Sequence, residues 1–195
     1  FPNNQVATQT LPYADQLVDS IRSIVPCAQP TFFRTWGREN GDQWNCPYFP
    51  PLCTYEGMDS LLHLRYRMMA DSNDAYLSPV GSVWKYIRDT DSTVALYTSD
   101  GSHPSLAGSY VAACTFFTVF TRSNPLNITF DANLDTAIAS TIREATKLVV
   151  YDSLSHWNVG KFDPSAAFTH QMVNDSFYFQ STSTNSDSLW FDFGD

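Results

Sequence analysis

Asp100 and His103 stand three residues apart in Tyr97-Thr98-Ser99-Asp100-Gly101-Ser102-His103-Pro104-Ser105, a stretch punctuated by Gly, Ser and Pro. A carboxylate that close to an imidazole can hold one ring nitrogen while the other faces a reacting hydroxyl. That is two-thirds of the Ser-His-Asp arrangement of hydrolases. In those roles His103 is the general base, and Asp100 fixes its tautomer and stabilises the imidazolium. Ser102 and Ser105 are close by, but neither occupies the strand-to-helix elbow that exposes a nucleophile, and both read as turn and N-cap residues. Trp36, Arg38 and Asn40, at the end of an apolar run, are the candidate substrate contacts. The plain alternatives are a core indole, a salt-bridged guanidinium and a turn amide.

These residues must be placed by the elements around them. Leu17, Val18, Ile21, Ile24 and Val25 follow helical spacing after Pro12, and Pro26 stops that helix. Thr31 to Trp36 reads as a buried, central strand, followed by a loop from Gly37 to Thr54. Met58, Leu61, Leu62, Arg65 and Met69 mark a second helix, Ala75 to Leu77 a short strand and Gly81 to Arg88 another helix. Val94 to Tyr97 is a strand end leading into the Asp/His loop, and Leu106, Tyr110, Ala113 and Phe117 give the helix after it. A long helix is expected over 131–151. Helices separated by short apolar strands indicate an α/β sheet sandwich. Beyond Gly160 the pattern alternates in the manner of β-strands, at 167–171 and 176–181, so a domain boundary is placed there.

Composition narrows the function classes. The net charge is −9, nearly all the acid being Asp, with no basic cluster, so a phosphate backbone would be repelled and nucleic acid is not an expected partner. No apolar run is long enough to cross a bilayer. The chain opens at Phe1 without a leader, so any targeting signal lies outside it and the sequence reads as part of something longer. Cys46 and Cys53 close a Pro-stiffened loop and read as a disulfide, which contributes about 2–3 kcal/mol by chain entropy. Cys27 and Cys114 leave two readings open, a second bridge or a buried thiol at Cys114. No C-x-x-C or paired His spacing points to a metal site. His63 reads as a surface or partly packed helix residue, His156 and His170 lack a partner in sequence, and the Asn127 and Asn174 sequons are matches of a kind common by chance. The aromatic excess raises carbohydrate stacking, with core packing as the default.

Three blocks carry a family resemblance: Thr35-Trp36-Gly37-Arg38-Glu39-Asn40-Gly41-Asp42, the stretch Cys46 to Gly57, and Asp100-Gly101-Ser102-His103-Pro104-Ser105. Together they resemble the SGNH (GDSL-like) hydrolases, in a secreted bacterial branch, over residues 5–150. The resemblance implies a three-layer α/β/α fold, with the last block completing the triad. It also implies ester hydrolysis, with acylated glycans as the substrate class, without cofactor or metal. The chain departs from the family in holding no Gly-Asp-Ser or Gly-Asn-Ser, and no oxyanion-hole block. The resemblance therefore implies the C-terminal part of such a domain, inactive alone, whose missing nucleophile belongs to an upstream part of the same protein. Ser181-Thr182-Ser183-Thr184-Asn185 and Leu189-Trp190-Phe191-Asp192-Phe193-Gly194-Asp195 resemble the opening of a PKD-like β-sandwich. The expected layout is a hydrolase-like domain over 1–154, a linker over 155–165 and a partial sandwich over 166–195. Such combinations are typical of secreted or cell-surface proteins of Bacteroidota. The rival expectation is a non-catalytic surface, adhesion or structural protein, or a cargo segment bound to secretion machinery.

Overall fold

The computed structural model describes residues 8–186 and Trp190 of the chain. It divides into two compact units, the first ending at Val159 and the second beginning at Gly160. The first unit is mixed α/β. Its helices are α1 (Leu11–Ile24), α2 (Tyr55–Ser72), α3 (Val80–Thr90), α4 (Leu106–Thr121) and α5 (Thr136–Val149). Strands β1 (Thr31–Phe33) and β2 (Tyr76–Ser78) pair in parallel, Thr31 with Tyr76 and Phe33 with Ser78. A parallel pair needs a crossover, and α2 supplies it, packing against both strands. Helix α4 packs on β2, and α5 covers α3 and α4. Leu77, Val80, Val83, Trp84, Val111 and Ile142 are fully buried where these elements meet.

The helix boundaries follow local chemistry. Thr54, Ser105 and Asp135 cap α2, α4 and α5, their side chains accepting from the N–H groups of Gly57, Gly108 and Ala137. The helix expected from residue 131 starts at Thr136 instead, because Ala132 and Asn133 have positive φ and Asp135 makes the cap. It ends at Val149, and a 3₁₀ segment, Tyr151–Trp157, follows.

Three further differences from the sequence reading have physical causes. The strand expected over Thr31–Trp36 ends at Phe33, and Phe33 is 37% exposed rather than central. Arg34 leaves the strand to enter the core, where its guanidinium meets Asp59 at 2.6 Å and donates to Ser82 Oγ at 2.9 Å. Helix α1 forms as expected, yet of its apolar residues only Val18 is buried. It is tied down by polar groups at the end of α2: Arg22 donates to the Asn73 and Asp74 carbonyls, and Asn73 to Asp15. The segment assigned to a linker, 155–165, begins inside the first unit, with Trp157, Asn158 and Val159 buried and the Asn158 amide donating to Asp71 at 2.9 Å.

The second unit holds β3 (Phe168–Val173) and β4 (Ser176–Ser181), an antiparallel hairpin pairing His170 with Phe179 and Met172 with Phe177. The period-2 register puts Phe168, His170, Met172, Phe177 and Phe179 on one face. The Leu189 to Asp195 motif lies, but for Trp190, outside the described residues. Among the described residues no helix is long and apolar enough to cross a membrane.

Candidate active site

The Asp100–His103 loop is a closed turn standing on α4. An isolated antiparallel bridge joins Tyr97 to Pro104, the Thr98 N–H donates to the His103 carbonyl at 3.0 Å, and Gly101 N–H returns to the Thr98 carbonyl at 3.0 Å. Gly101 has φ +65°, a left-handed conformation that side chains rarely adopt, which is why glycine occupies it. Ser105 ends the loop and begins the helix. Its hydroxyl donates to the Ala95 carbonyl at 2.6 Å and accepts from Gly108 N–H at 3.1 Å. Ser105 is thus an N-cap, as its position in sequence suggests.

Inside this loop Asp100 collects donors. Its Oδ1 accepts from the N–H groups of Ser102 and His103, at 2.8 and 2.9 Å, and from the Thr98 hydroxyl at 2.9 Å. Its Oδ2 lies 2.5 Å from His103 Nδ1. A carboxylate only accepts, so Nδ1 carries the proton and Nε2 is left free. The hydrogen bond from His103, followed by the backbone and hydroxyl donors, holds the Asp100 carboxyl well below the usual range. The carboxyl therefore stays ionised and oriented. His103 is 78% exposed, so its Nε2 is approached openly from solvent and not from inside a walled cleft.

The Trp36–Asn40 segment braces this loop from behind. The Trp36 indole N–H donates to the Ser102 carbonyl at 3.1 Å, and the Glu39 N–H to the Gly101 carbonyl at 2.8 Å. Tyr97 donates its hydroxyl to the Gly37 carbonyl at 2.6 Å, and Arg88 its guanidinium to the Glu39 carbonyl at 2.8 Å. Burial pushes the Tyr97 hydroxyl up to about 12, so it remains a donor. Trp36 stacks flat on the buried Trp84, with ring centroids 4.1 Å apart.

Of the three candidate substrate contacts, then, Trp36 spends its polar atom on the Asp/His loop. Arg38 pairs with Asp42 at 3.0 Å, and Asn40 is exposed. Trp84 is the supporting residue that sequence reasoning missed. It lies 48 positions from Trp36, and only a helical stripe through Val80, Trp84 and Ile87 marks it as core. Cys46 and Cys53 form the expected disulfide, with Cα atoms 4.7 Å apart. Cys27 and Cys114 are free thiols, Cys27 exposed and Cys114 buried, and burial raises the Cys114 thiol to about 11.

The first unit is thus a mixed α/β body that carries a preformed Asp–His dyad on the connection between α3 and α4, where the strand expected at Val94–Tyr97 is reduced to the single Tyr97–Pro104 bridge. No protein-family model and no curated protein matches the sequence. A solved structure, that of a DUF4886 family protein from Bacteroides uniformis ATCC 8492, is similar in fold, with a TM-score of 0.61 and 19% sequence identity. The likeness covers 73% of this chain and 54% of that one, so the chain spans about half the length of its structural neighbour.

Proposed function

We propose that Asp100 and His103 are the acid–base half of an SGNH-type acyl hydrolase that cleaves esters, with acylated glycans as the substrate class. The observation that carries this reading is the 2.5 Å contact between Asp100 Oδ2 and His103 Nδ1, which leaves Nε2 free and open to solvent. In the reaction, Nε2 accepts the proton of a serine hydroxyl as its oxygen attacks the ester carbonyl. The imidazolium then returns that proton to the departing alkoxide, and water repeats the sequence to release the acid. No serine of this chain stands in the family's Gly-Asp-Ser or Gly-Asn-Ser context. The nucleophile and oxyanion donors are therefore assigned to an upstream part of the same hydrolase domain, of which residues 1–154 form the C-terminal part. The Cys46–Cys53 disulfide supports a secreted or cell-surface location, since such bonds persist in oxidising compartments. The β3–β4 hairpin supports reading the second unit as the start of a PKD-like sandwich.

The test is hydrolysis of p-nitrophenyl acetate by the full-length protein and by the 195-residue chain alone. The full-length protein is expected to turn over and the isolated chain to remain near the slow rate of a free imidazole. Asp100→Asn in the full-length protein is expected to cost about four orders of magnitude, as where a triad loses tautomer control. A full-length protein inactive on a panel of acetyl esters overturns the reading in favour of a structural or adhesive role.

A further inference from the structure

Helix α2 carries Asp59, His63, Arg67 and Asp71 at four-residue spacing along one flank. Asp59 holds Arg34 in the core, and the other three grip the end of the first unit. The His63 ring meets the buried Trp157 edge to face, with centroids 6.3 Å apart and planes at 84°. Arg67 donates to the His156 carbonyl and pairs through Nε with Asp71 at 2.8 Å. Asp71 in turn accepts from the amide of the fully buried Asn158 at 2.9 Å, and the same amide donates to the Ala75 carbonyl at 3.2 Å. Trp157 also donates its indole N–H to the Val149 carbonyl at 2.8 Å, and the His156 ring lies 4.5 Å from the indole. These contacts pin residues 151–159 to α2, although a linker is what the sequence suggests from residue 155 onward.

We propose that His63 is a pH-sensitive latch, which keeps residues 151–159 docked on α2 at neutral pH and releases them in mild acid into the connection to the second unit. The surroundings of the ring suit its neutral form. Burial chiefly, then the Arg34 guanidinium, holds His63 below its usual range; Asp59 pulls the other way, and His156 and Arg67 add to the lowering. Both nearby carboxylates are already engaged, Asp59 with Arg34 at 2.6 Å and Asp71 with Arg67. A protonated ring gains little from Trp157, whose 6.3 Å separation stands at the outer limit of cation–π attraction, about 6 Å. Once the segment lifts, His63 returns to water and takes its proton near the ordinary value of about 6.5. The closure is therefore at full strength above about pH 6.5, weakens as pH falls below it, and stops weakening once the docked ring is itself protonated. The freed stretch, at about 3.3 Å per residue, would lengthen the tether to the second unit by up to about 30 Å. The latch rests on this packing and not on the hydrolase reading.

The test is hydrogen exchange of the whole chain, read by mass spectrometry at about pH 7.5 and about pH 5 and corrected for the intrinsic pH dependence of exchange. The reporters are the Asn158 and Val159 N–H groups, which donate to the Ser155 and Leu154 carbonyls at 3.1 and 3.0 Å. Wild type is expected to lose protection over 151–159 by about threefold or more in acid, while the core helix α3 keeps its own. His63→Gln, which cannot take the proton, is expected to show equal protection at both pH values. Because that change also takes a ring away from Trp157, the titration of His63 itself supplies a second reading that needs no variant. Followed by NMR at its Cε1–H, the midpoint is expected to lie lower in the folded chain than in the same chain unfolded in urea. Equal protection of wild type at both pH values overturns the latch. So does an acid-induced loss that persists in His63→Gln, a loss that α3 shares, or a folded midpoint at or above the unfolded one.

Discussion

Gly108 sits in the first turn of α4, directly below the Asp/His loop, and its replacement by alanine sets two known effects against each other. Alanine is the better helix former, by about 1 kcal/mol over glycine. On that ground Gly108→Ala should stabilise the chain. The packing says otherwise. A Cβ built at Gly108 would lie 2.4 Å from the Leu96 carbonyl oxygen, 2.4 Å from Trp84 Cη2 and 2.7 Å from Trp84 Cζ3. Ordinary contacts begin near ~3.5 Å, so the helix start must retreat by about 1 Å. Neither neighbour yields easily, one being main chain and the other a fully buried indole stacked on Trp36. Overpacking of this kind costs about 1–3 kcal/mol, and more where both neighbours are rigid. Taking about 3 against the gain of about 1 leaves a net loss of about 2 kcal/mol, a fall in melting temperature of about 4–8 °C for a body of this size.

Thermal unfolding followed by far-ultraviolet circular dichroism measures it. Combining the change with Trp84→Phe, which removes both ring atoms concerned, should shrink the penalty by at least ~1 kcal/mol in a double-mutant cycle. A Gly108→Ala chain as stable as wild type, or more so, refutes the packing argument and returns the decision to helix propensity.

Two other changes probe the supports of the site. Arg34 and Asp59 form an ion pair with both side chains at most 3% exposed, and Arg34 Nε and Asp59 Oδ1 have no hydrogen-bond partner among the described residues. Asp59→Asn is expected to lose about 3–5 kcal/mol in urea unfolding by stranding a buried guanidinium, while Arg34→Met with Asp59→Leu recovers most of that loss. Trp36→Phe removes the donor to the Ser102 carbonyl and part of the stack on Trp84, for a cost of about 1–2 kcal/mol. In the same variant the His103 ring is expected to keep its proton on Nδ1, read from its ¹⁵N chemical shifts, and loss of that tautomer would show that the loop depends on the clamp.

Much of this arrangement is legible in the sequence because it is local. Asp-Gly-Ser-His encodes its own turn: a carboxylate that accepts from N–H groups two and three residues on, a glycine at the one left-handed position, and an imidazole brought back to the same carboxylate. The Pro-rich spacing of Cys46 and Cys53 likewise announces a staple, and Pro12 and Ser105 mark helix starts through side chains a few residues from where they act. What could not be read depends on partners far along the chain. Arg34 looks like the middle of a strand until Asp59, twenty-five positions away, draws it into the core. Nothing near Trp36 in sequence announces that Trp84 stacks on its face and that the Ser102 carbonyl accepts its N–H. The stripe of α1 is helical by spacing, but spacing carries no information on whether another element covers it, and only Val18 is covered.

The same distinction explains how a dyad stands ready in a chain that carries no recognisable nucleophile. Every donor to Asp100 comes from the loop itself, between Thr98 and His103, and the loop is closed by its own Tyr97–Pro104 bridge. Its internal geometry therefore needs no substrate and no serine to hold it. The clamp from Trp36 and Glu39 does a separate job, fixing where that finished unit stands relative to β1 and the disulfide loop. Preorganisation of this kind is what an acid–base group requires, since its dipoles are in place before charge develops and do not have to reorganise during the reaction. A turn that existed only to reverse the chain would need the backbone bonds to Asp100 Oδ1. It would have no need of the second carboxylate oxygen aimed at an imidazole whose other nitrogen is left open.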